Sequence, residues 1–291
     1  MQISALAAVA VAAMFATPAF AEDRTGTLPV NGLEMYYEIH GEGEPLVLIH
    51  GAWMNIDTNW AALMPTLAMD HKVIALEMQG HGRTTDRDTP ITYEGMADDV
   101  AAALDALQVE KADIFGYSMG AGIALQLVIR HPEKVERLIA ASGGYSTDGL
   151  AEGYDAMVAT MTPEMFVGTP LESEYKRLSP TPDHFRDFAV KMIALEAPFS
   201  WPESDIKAIK APTLLIGGDA DIVTLEHQAS LYRLLGGTEN GDINGLSTAQ
   251  LLILPGTSHI GVFFNPLNIE IMKLAVPAFL SAELPPKPPQ F

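Results

Sequence analysis

The chain has 291 residues, 48% of them hydrophobic, with no cysteine and a formal net charge of −20. That apolar content suffices for one large buried core. The missing thiols exclude disulfides, thiolate zinc sites and cysteine nucleophiles, and the acidity argues against nucleic acid or an anionic membrane surface as a partner.

Residues 1–21 have the pattern of a secretory signal peptide. A short apolar run, Ile3 to Phe15, leads to Ala19-Phe20-Ala21, an A-x-A cleavage pattern just before the charged Glu22-Asp23-Arg24. No Lys or Arg precedes the run, and it is too short to span a bilayer. Cleavage after Ala21 predicts a secreted or periplasmic protein with no stable membrane insertion thereafter. Thr27 to Glu38 suits a hairpin turned at Asn31-Gly32. Leu46 to Ile49 has the continuous apolar character of a strand covered on both faces. Helical periodicity follows over Trp60 to Ala68, then a strand over Lys72 to Leu76 ending in the turn Gln79-Gly80-His81-Gly82. Tyr93 to Leu107 predicts a helix with Met96, Val100, Ala103, Leu104 and Leu107 on one face. Ala112 to Tyr117 is the next strand, Ala121 to Arg130 a helix and Val135 to Ala141 another strand.

The alternation breaks near Ser142, and no further buried strand is expected from Ser146 to about Lys210. Over that span the Met and aromatic residues recur as in short amphipathic helices, and most of those side chains suit packing rather than a pocket. It resumes with a strand over Ala211 to Ile216, a helix over Leu225 to Leu235, a strand over Gln250 to Leu254 and a helix over Pro266 to Leu280. The pattern predicts an α/β fold, a mostly parallel central sheet with helices on both faces. Its core falls in two parts, 22–145 and 211–281, separated by a helical cap, 146–210, over the carboxyl ends of the strands. Residues 282–291 are a Pro-rich tail.

The pattern G-x-S-x-G at Gly116-Tyr-Ser-Met-Gly120 leaves a strand and opens a helix, the context in which such a serine is a nucleophile rather than part of a glycine-rich turn. A serine hydroxyl needs a positioned base. His259, on the loop leaving the last predicted strand, reaches the same sheet edge as Ser118. His131 is expected at a helix end; His71, His184 and His227 fall in segments expected to be solvated; His40 is ambiguous. Asp221, after the strand ending at Ile216, is the favoured orienting carboxylate. Asp219 suits a turn-former bonded to its own backbone, and Asp148 is an outside candidate. The chain order Ser118, Asp221, His259 fits a nucleophile elbow. An oxyanion is to be held by amides of the loop His50-Gly51-Ala52-Trp53 and by the Met119 amide at a helix N-terminus. His50 itself suits a structural corner. Trp53 and Tyr117 are the candidate substrate-binding side chains. No His or carboxylate cluster has metal-ligand spacing.

The segments His50-Gly51-Ala52-Trp53, Gln79-Gly80-His81-Gly82, Gly116-Tyr-Ser-Met-Gly120, Gly218-Asp-Ala-Asp221 and Pro255-Gly-Thr-Ser-His259 occur in this order. Together they resemble the α/β-hydrolase superfamily over Leu28 to Leu280. The resemblance implies a cofactor-free Ser–His–Asp hydrolase with its cap inserted after the sixth strand. It implies Ser118 as nucleophile, His259 as base, Asp221 as orienter, and Ala52 with Met119 as oxyanion hole. A serine at 118 disfavours the members with an aspartate nucleophile. One departure is the long segment Gly236 to Ala249, an active-site loop or a surface excursion. The expected activity is hydrolysis of an ester or lactone of a small, largely apolar substrate through an acyl-enzyme. The alternatives on the same triad are a carbon–carbon hydrolase, a cofactor-free perhydrolase or an amidase. From another class comes a non-catalytic ligand-binding fold. The oligomeric state stays open.

Overall fold

Asn31 and Gly32 both have positive φ, 47° and 85°, the backbone that a two-residue hairpin turn requires. The turn joins β1 (Arg24–Val30) to β2 (Leu33–His40), and β2 continues antiparallel against β4 (His71–Leu76). From there inward every pairing is parallel, through β3 (Glu44–Ile49), β5 (Ala112–Tyr117), β6 (Val135–Ala141), β7 (Thr213–Ala220) and β8 (Ala249–Ser258). The sheet order is β1-β2-β4-β3-β5-β6-β7-β8. The computed structural model describes residues 24–285; the expected signal peptide, 1–21, and the tail beyond 285 lie outside the described residues.

Alternation along the strands divides the core in two. Val47, Ile49, Ile74, Leu76 and Ile114 face one side, while Leu46, Leu48, Val73, Ala75 and Phe115 face the other. The second side is partly covered by α1 (Ile56–Trp60) and α2 (Met64–Leu67), which stand where one helix over Trp60 to Ala68 was expected. Pro65 in the first turn of α2 has no N–H to extend a preceding helix. The first side is covered by α3 (Tyr93–Ala106) and α4 (Met119–Arg130).

Between β6 and β7 the regular elements are helical, among them α5 (Tyr154–Val158), α6 (Pro170–Leu178), α7 (Phe185–Leu195) and α8 (Glu203–Ala208). Three hydrogen bonds tie them to the sheet's carboxyl edge. Lys191 donates to Asp86 Oδ2 at 2.7 Å and to the Arg87 carbonyl at 2.6 Å, and Asn55 Nδ2 donates to Glu174 at 2.9 Å. After β7 come α9 (Leu225–Leu234), α10 (Gly241–Asn244), α11 (Gly261–Phe264) and α12 (Pro266–Ser281); the last two close the second core. None of the described helices is long and apolar enough to cross a membrane.

The last two strands run further than the apolar pattern predicts. β7 continues past Ile216 through Gly217 and Gly218, where a side chain on Gly218 would meet the Thr257 carbonyl at 1.9 Å. β8 correspondingly extends through Ser258, so the segment before His259 is strand rather than loop. His71 and His227 are buried, not solvated. His227 stacks on Tyr145, with ring centroids 4.4 Å apart, and accepts the Tyr145 N–H at 3.2 Å.

Arg87 clasps Asp99 of α3 through both terminal nitrogens, at 2.9 and 2.7 Å, and donates to the Asn31 carbonyl of the hairpin turn. The Asp99 side chain is 2% exposed, so removing it strands a largely buried guanidinium. Asp99→Ala is expected to lower unfolding free energy by about 3–5 kcal/mol. Removing the exposed Glu203 partner of Lys207 should leave a urea-unfolding midpoint nearly unchanged.

Candidate active site

Ser118 sits where β5 turns into α4, with φ 54° and ψ −115°, a backbone that side chains avoid. Such strain, on the order of 1–3 kcal/mol, persists only where the surroundings over-determine it. They do so here. A side chain at Gly116 would lie 2.0 Å from the Gly120 carbonyl, and one at Gly120 2.1 Å from the Ile49 carbonyl at the end of β3. The Ser118 amide is fixed on Ala141 at 2.8 Å. Both glycines of the motif are therefore demanded by close backbone approach.

His259 Nε2 lies 2.8 Å from Ser118 Oγ, and its Nδ1 lies 2.7 Å from Asp221 Oδ1. Asp221 is 9% exposed. Burial alone would raise its carboxyl. Bonding to His259, the charge of that ring and the bonds from Ser142 and the Val223 amide outweigh burial and hold it below the ordinary carboxylate range. An ionised Asp221 accepts from Nδ1–H, leaving Nε2 free to take the Ser118 proton. The three groups picked from the sequence are thus brought into one hydrogen-bonded line.

Ser142 is a residue of the site that the sequence reading missed. It follows the last residue of β6 with φ 52°, and its hydroxyl donates to Asp221 Oδ2 at 2.6 Å. Asp219 differs from expectation. Instead of bonding chiefly to its own backbone it accepts the Gly256 and Thr257 amides at 2.8 and 2.9 Å, which lowers its pKa and ties β7 to the strand leading to His259. Tyr117 borders the cavity, but its hydroxyl is spent on the His259 carbonyl at 2.9 Å and its ring is 1% exposed. Asp148 lies beside His227, away from this line.

The loop after β3 carries Ala52 and Trp53. Its Gly51 amide is pinned on Asn59 Oδ1 at 2.8 Å, and the His50 ring bridges the Gly51 carbonyl (2.8 Å) and the Met78 amide (3.1 Å). Burial pushes the His50 ring down to about 4, so it is neutral, with Nδ1–H donating and Nε2 accepting. Among the described residues, the Ala52 and Met119 amides make no backbone hydrogen bond, and both residues line the cavity over Ser118. Two free donors beside a nucleophile are what a developing oxyanion requires. Trp53, at φ 63°, stacks on Phe166 of the inserted segment at 4.4 Å.

The cavity measures about 340 Å³ and is lined mainly by apolar side chains, including Met161, Phe166, Leu171, Ile193 and Phe199 from the inserted segment. None of its lining residues comes from Gly236 to Ala249, which is a surface excursion with Ile243 79% exposed. Among the described residues no cluster of His and carboxylates could hold a metal ion.

The family model of the alpha/beta hydrolase fold matches residues 44–169. A 2-hydroxy-6-oxo-2,4-heptadienoate hydrolase of Pseudomonas putida is 32% identical over 228 residues, covering 70% of this chain and 82% of its own. The chain belongs to the α/β-hydrolase family. A 2-hydroxymuconate semialdehyde hydrolase of a Pseudomonas species is 40% identical over 120 residues, which span 40% of this α/β hydrolase and 42% of that relative's length. Among solved structures, a meta-cleavage product hydrolase variant of Pseudomonas fluorescens superposes with a TM-score of 0.68 at 22% identity. That likeness covers 90% of this hydrolase and 97% of that chain, and it is one of fold.

Two outcomes follow for this hydrolase. A fluorophosphonate probe should label Ser118 and lose its target in Ser118→Ala, as read by peptide mass spectrometry. Asp221→Asn should slow labelling by about 10³–10⁴-fold, while Ser142→Ala, which removes one bond to the same carboxylate, should slow it by about 3–30-fold.

Proposed function

We propose that this hydrolase opens a carbon–carbon bond beside a ketone or aldehyde carbonyl in a small, largely apolar, conjugated substrate. The observation that carries this reading is the combination of the Ser118–His259–Asp221 line with the chemistry of the relatives' named compounds. A 2-hydroxy-6-oxo-2,4-heptadienoate contains no ester, amide or ether link, so a hydrolase of it must add water across a carbon–carbon bond. The bond next to the 6-oxo carbon suits this, because the departing carbanion is delocalised into the conjugated 2-oxo group of the keto tautomer.

Under this reading Ser118 Oγ attacks the carbonyl carbon while His259 Nε2 takes its proton. The oxyanion is met by the Ala52 and Met119 amides. Collapse breaks the carbon–carbon bond, and the departing carbon receives the proton from the His259 imidazolium. Water, activated by the same ring, then releases a carboxylic acid from Ser118. The sum is one ketone plus one water giving one acid and one C–H compound.

This shifts the reading from the ester or lactone hydrolysis expected from the sequence. That second reading keeps one observation in its favour. The relatives' named compounds carry a carboxylate, and among the described residues lining the cavity none is Lys or Arg. The same triad serves esters without change, and specificity then rests on the pocket.

The test is a side-by-side assay of a conjugated ene-dione, a short p-nitrophenyl ester and a lactone, following chromophore loss and acid release. Turnover of the ene-dione, lost by about 10³-fold or more in Ser118→Ala, is expected. Ester or lactone turnover alone would replace the first reading by the second. We also propose export, supported by the pattern at Ala19–Ala21. Periplasmic or secreted protein should then begin at Glu22 by intact mass, and full-length cytoplasmic protein would refute it.

A further inference from the structure

Glu196 is the only Asp, Glu, Lys or Arg among the described residues that line the cavity. It caps the C-terminus of α7, where the helix dipole is negative and a carboxylate is disfavoured. It has no cationic partner among the ion pairs of the described residues, and its hydrogen bond comes from the Tyr154 hydroxyl, at 2.9 Å to Oε2. Burial raises its pKa, while the Tyr154 bond and the His259 charge act the other way without cancelling the rise. Tyr93, which packs over Gly122 of α4, feels the same carboxyl: burial first and then Glu196 push its hydroxyl well above the usual range. An acid placed at the wrong helix end, half-buried and paired with a hydroxyl rather than with a Lys or Arg is unfavourable on three separate counts. Glutamine would relieve each of them at nearly the same volume.

Apolar cavities fix a ligand's orientation through a few polar groups, and here Glu196, with Tyr154 and Tyr93, is such a group. We infer that Glu196 determines specificity by receiving a hydrogen-bond donor, best an ammonium group, on the part of the substrate away from the attacked carbonyl, and by turning carboxylates away. The inference rests on the reading of Ser118 as nucleophile. It separates this site from the named relatives' carboxylate compounds, for which no lining cation is available.

The test uses three p-nitrophenyl esters of equal chain length whose acyl ends carry an ammonium, a methyl or a carboxylate group. In the wild type, kcat/KM for the ammonium ester should exceed that for the carboxylate ester by about 10–100-fold. In Glu196→Gln that ratio should fall to within a few-fold of one, and in Glu196→Arg it should invert. Fluorophosphonate labelling of each variant shows that its active site is folded. A carboxylate ester accepted as readily as the ammonium ester, or a ratio unchanged in Glu196→Gln, overturns the inference. If no ester is turned over and Ser118 is not labelled, the reading of the nucleophile fails instead.

Discussion

Everything at this site depends on how closely three backbone segments meet at the carboxyl edge of the sheet. β5 turns into α4 so tightly that Gly116 lies under the Gly120 carbonyl, and Gly120 in turn lies against the end of β3. That contact holds Ser118 in its strained conformation, half-buried and aimed over the edge. It also sets the two unbonded amides over Ser118, because the Met119 amide belongs to the same turn and the Ala52 loop leaves the very strand end that Gly120 touches. The placement of Ser118 and of the two amides is thus one packing event, and a side chain at either glycine disturbs both.

The base and its carboxylate arrive from the other half of the sheet, so their placement depends on a second set of restraints. β7 and β8 stay paired beyond their apolar stretches, with Asp219 holding the Gly256 and Thr257 amides. Tyr117, the residue before the nucleophile, reaches the His259 carbonyl. Ser142 does the same for Asp221 from the end of β6. Each triad member is therefore tied to a neighbouring strand by a polar contact, which keeps a three-residue relay in register despite its origin on three separate strands.

The sheet strands and the order Ser118, Asp221, His259 were legible because both rest on local pattern: continuous apolar runs, glycine-bounded turns and polar residues just past strand ends. What escaped is what local pattern does not encode. The strand beyond Ile216 was hidden because Gly217 and Gly218 look like a turn, although close packing against Thr257 is what requires the second of them. Ser142 is an unmarked serine whose meaning comes only from Asp221, 79 positions away. His227, in the first turn of α9, looked solvated because nothing nearby in sequence announces the Tyr145 ring that covers it. The Trp60 to Ala68 periodicity was real, but Pro65 divided it.

The inserted helices divide labour with this framework. Stacking of Trp53 on Phe166, and the packing of Phe188 against both Trp53 and His81, joins the insertion to the loop that carries the Ala52 amide and to the Gly80–Gly82 turn. Hence the insertion is apolar where it meets the core, and its packing there constrains position rather than recognition. The cavity's hydrocarbon lining likewise discriminates weakly, since one methylene in such a pocket is worth only about 1–3 kcal/mol. A polar group facing the cavity discriminates more sharply, because a mismatched ligand leaves it unpaired. In this cavity that role falls to the end of α7 rather than to the triad. The chemistry of the site and its choice of substrate are accordingly written on different elements, the first on strand ends and the second on the end of a helix inserted between β6 and β7.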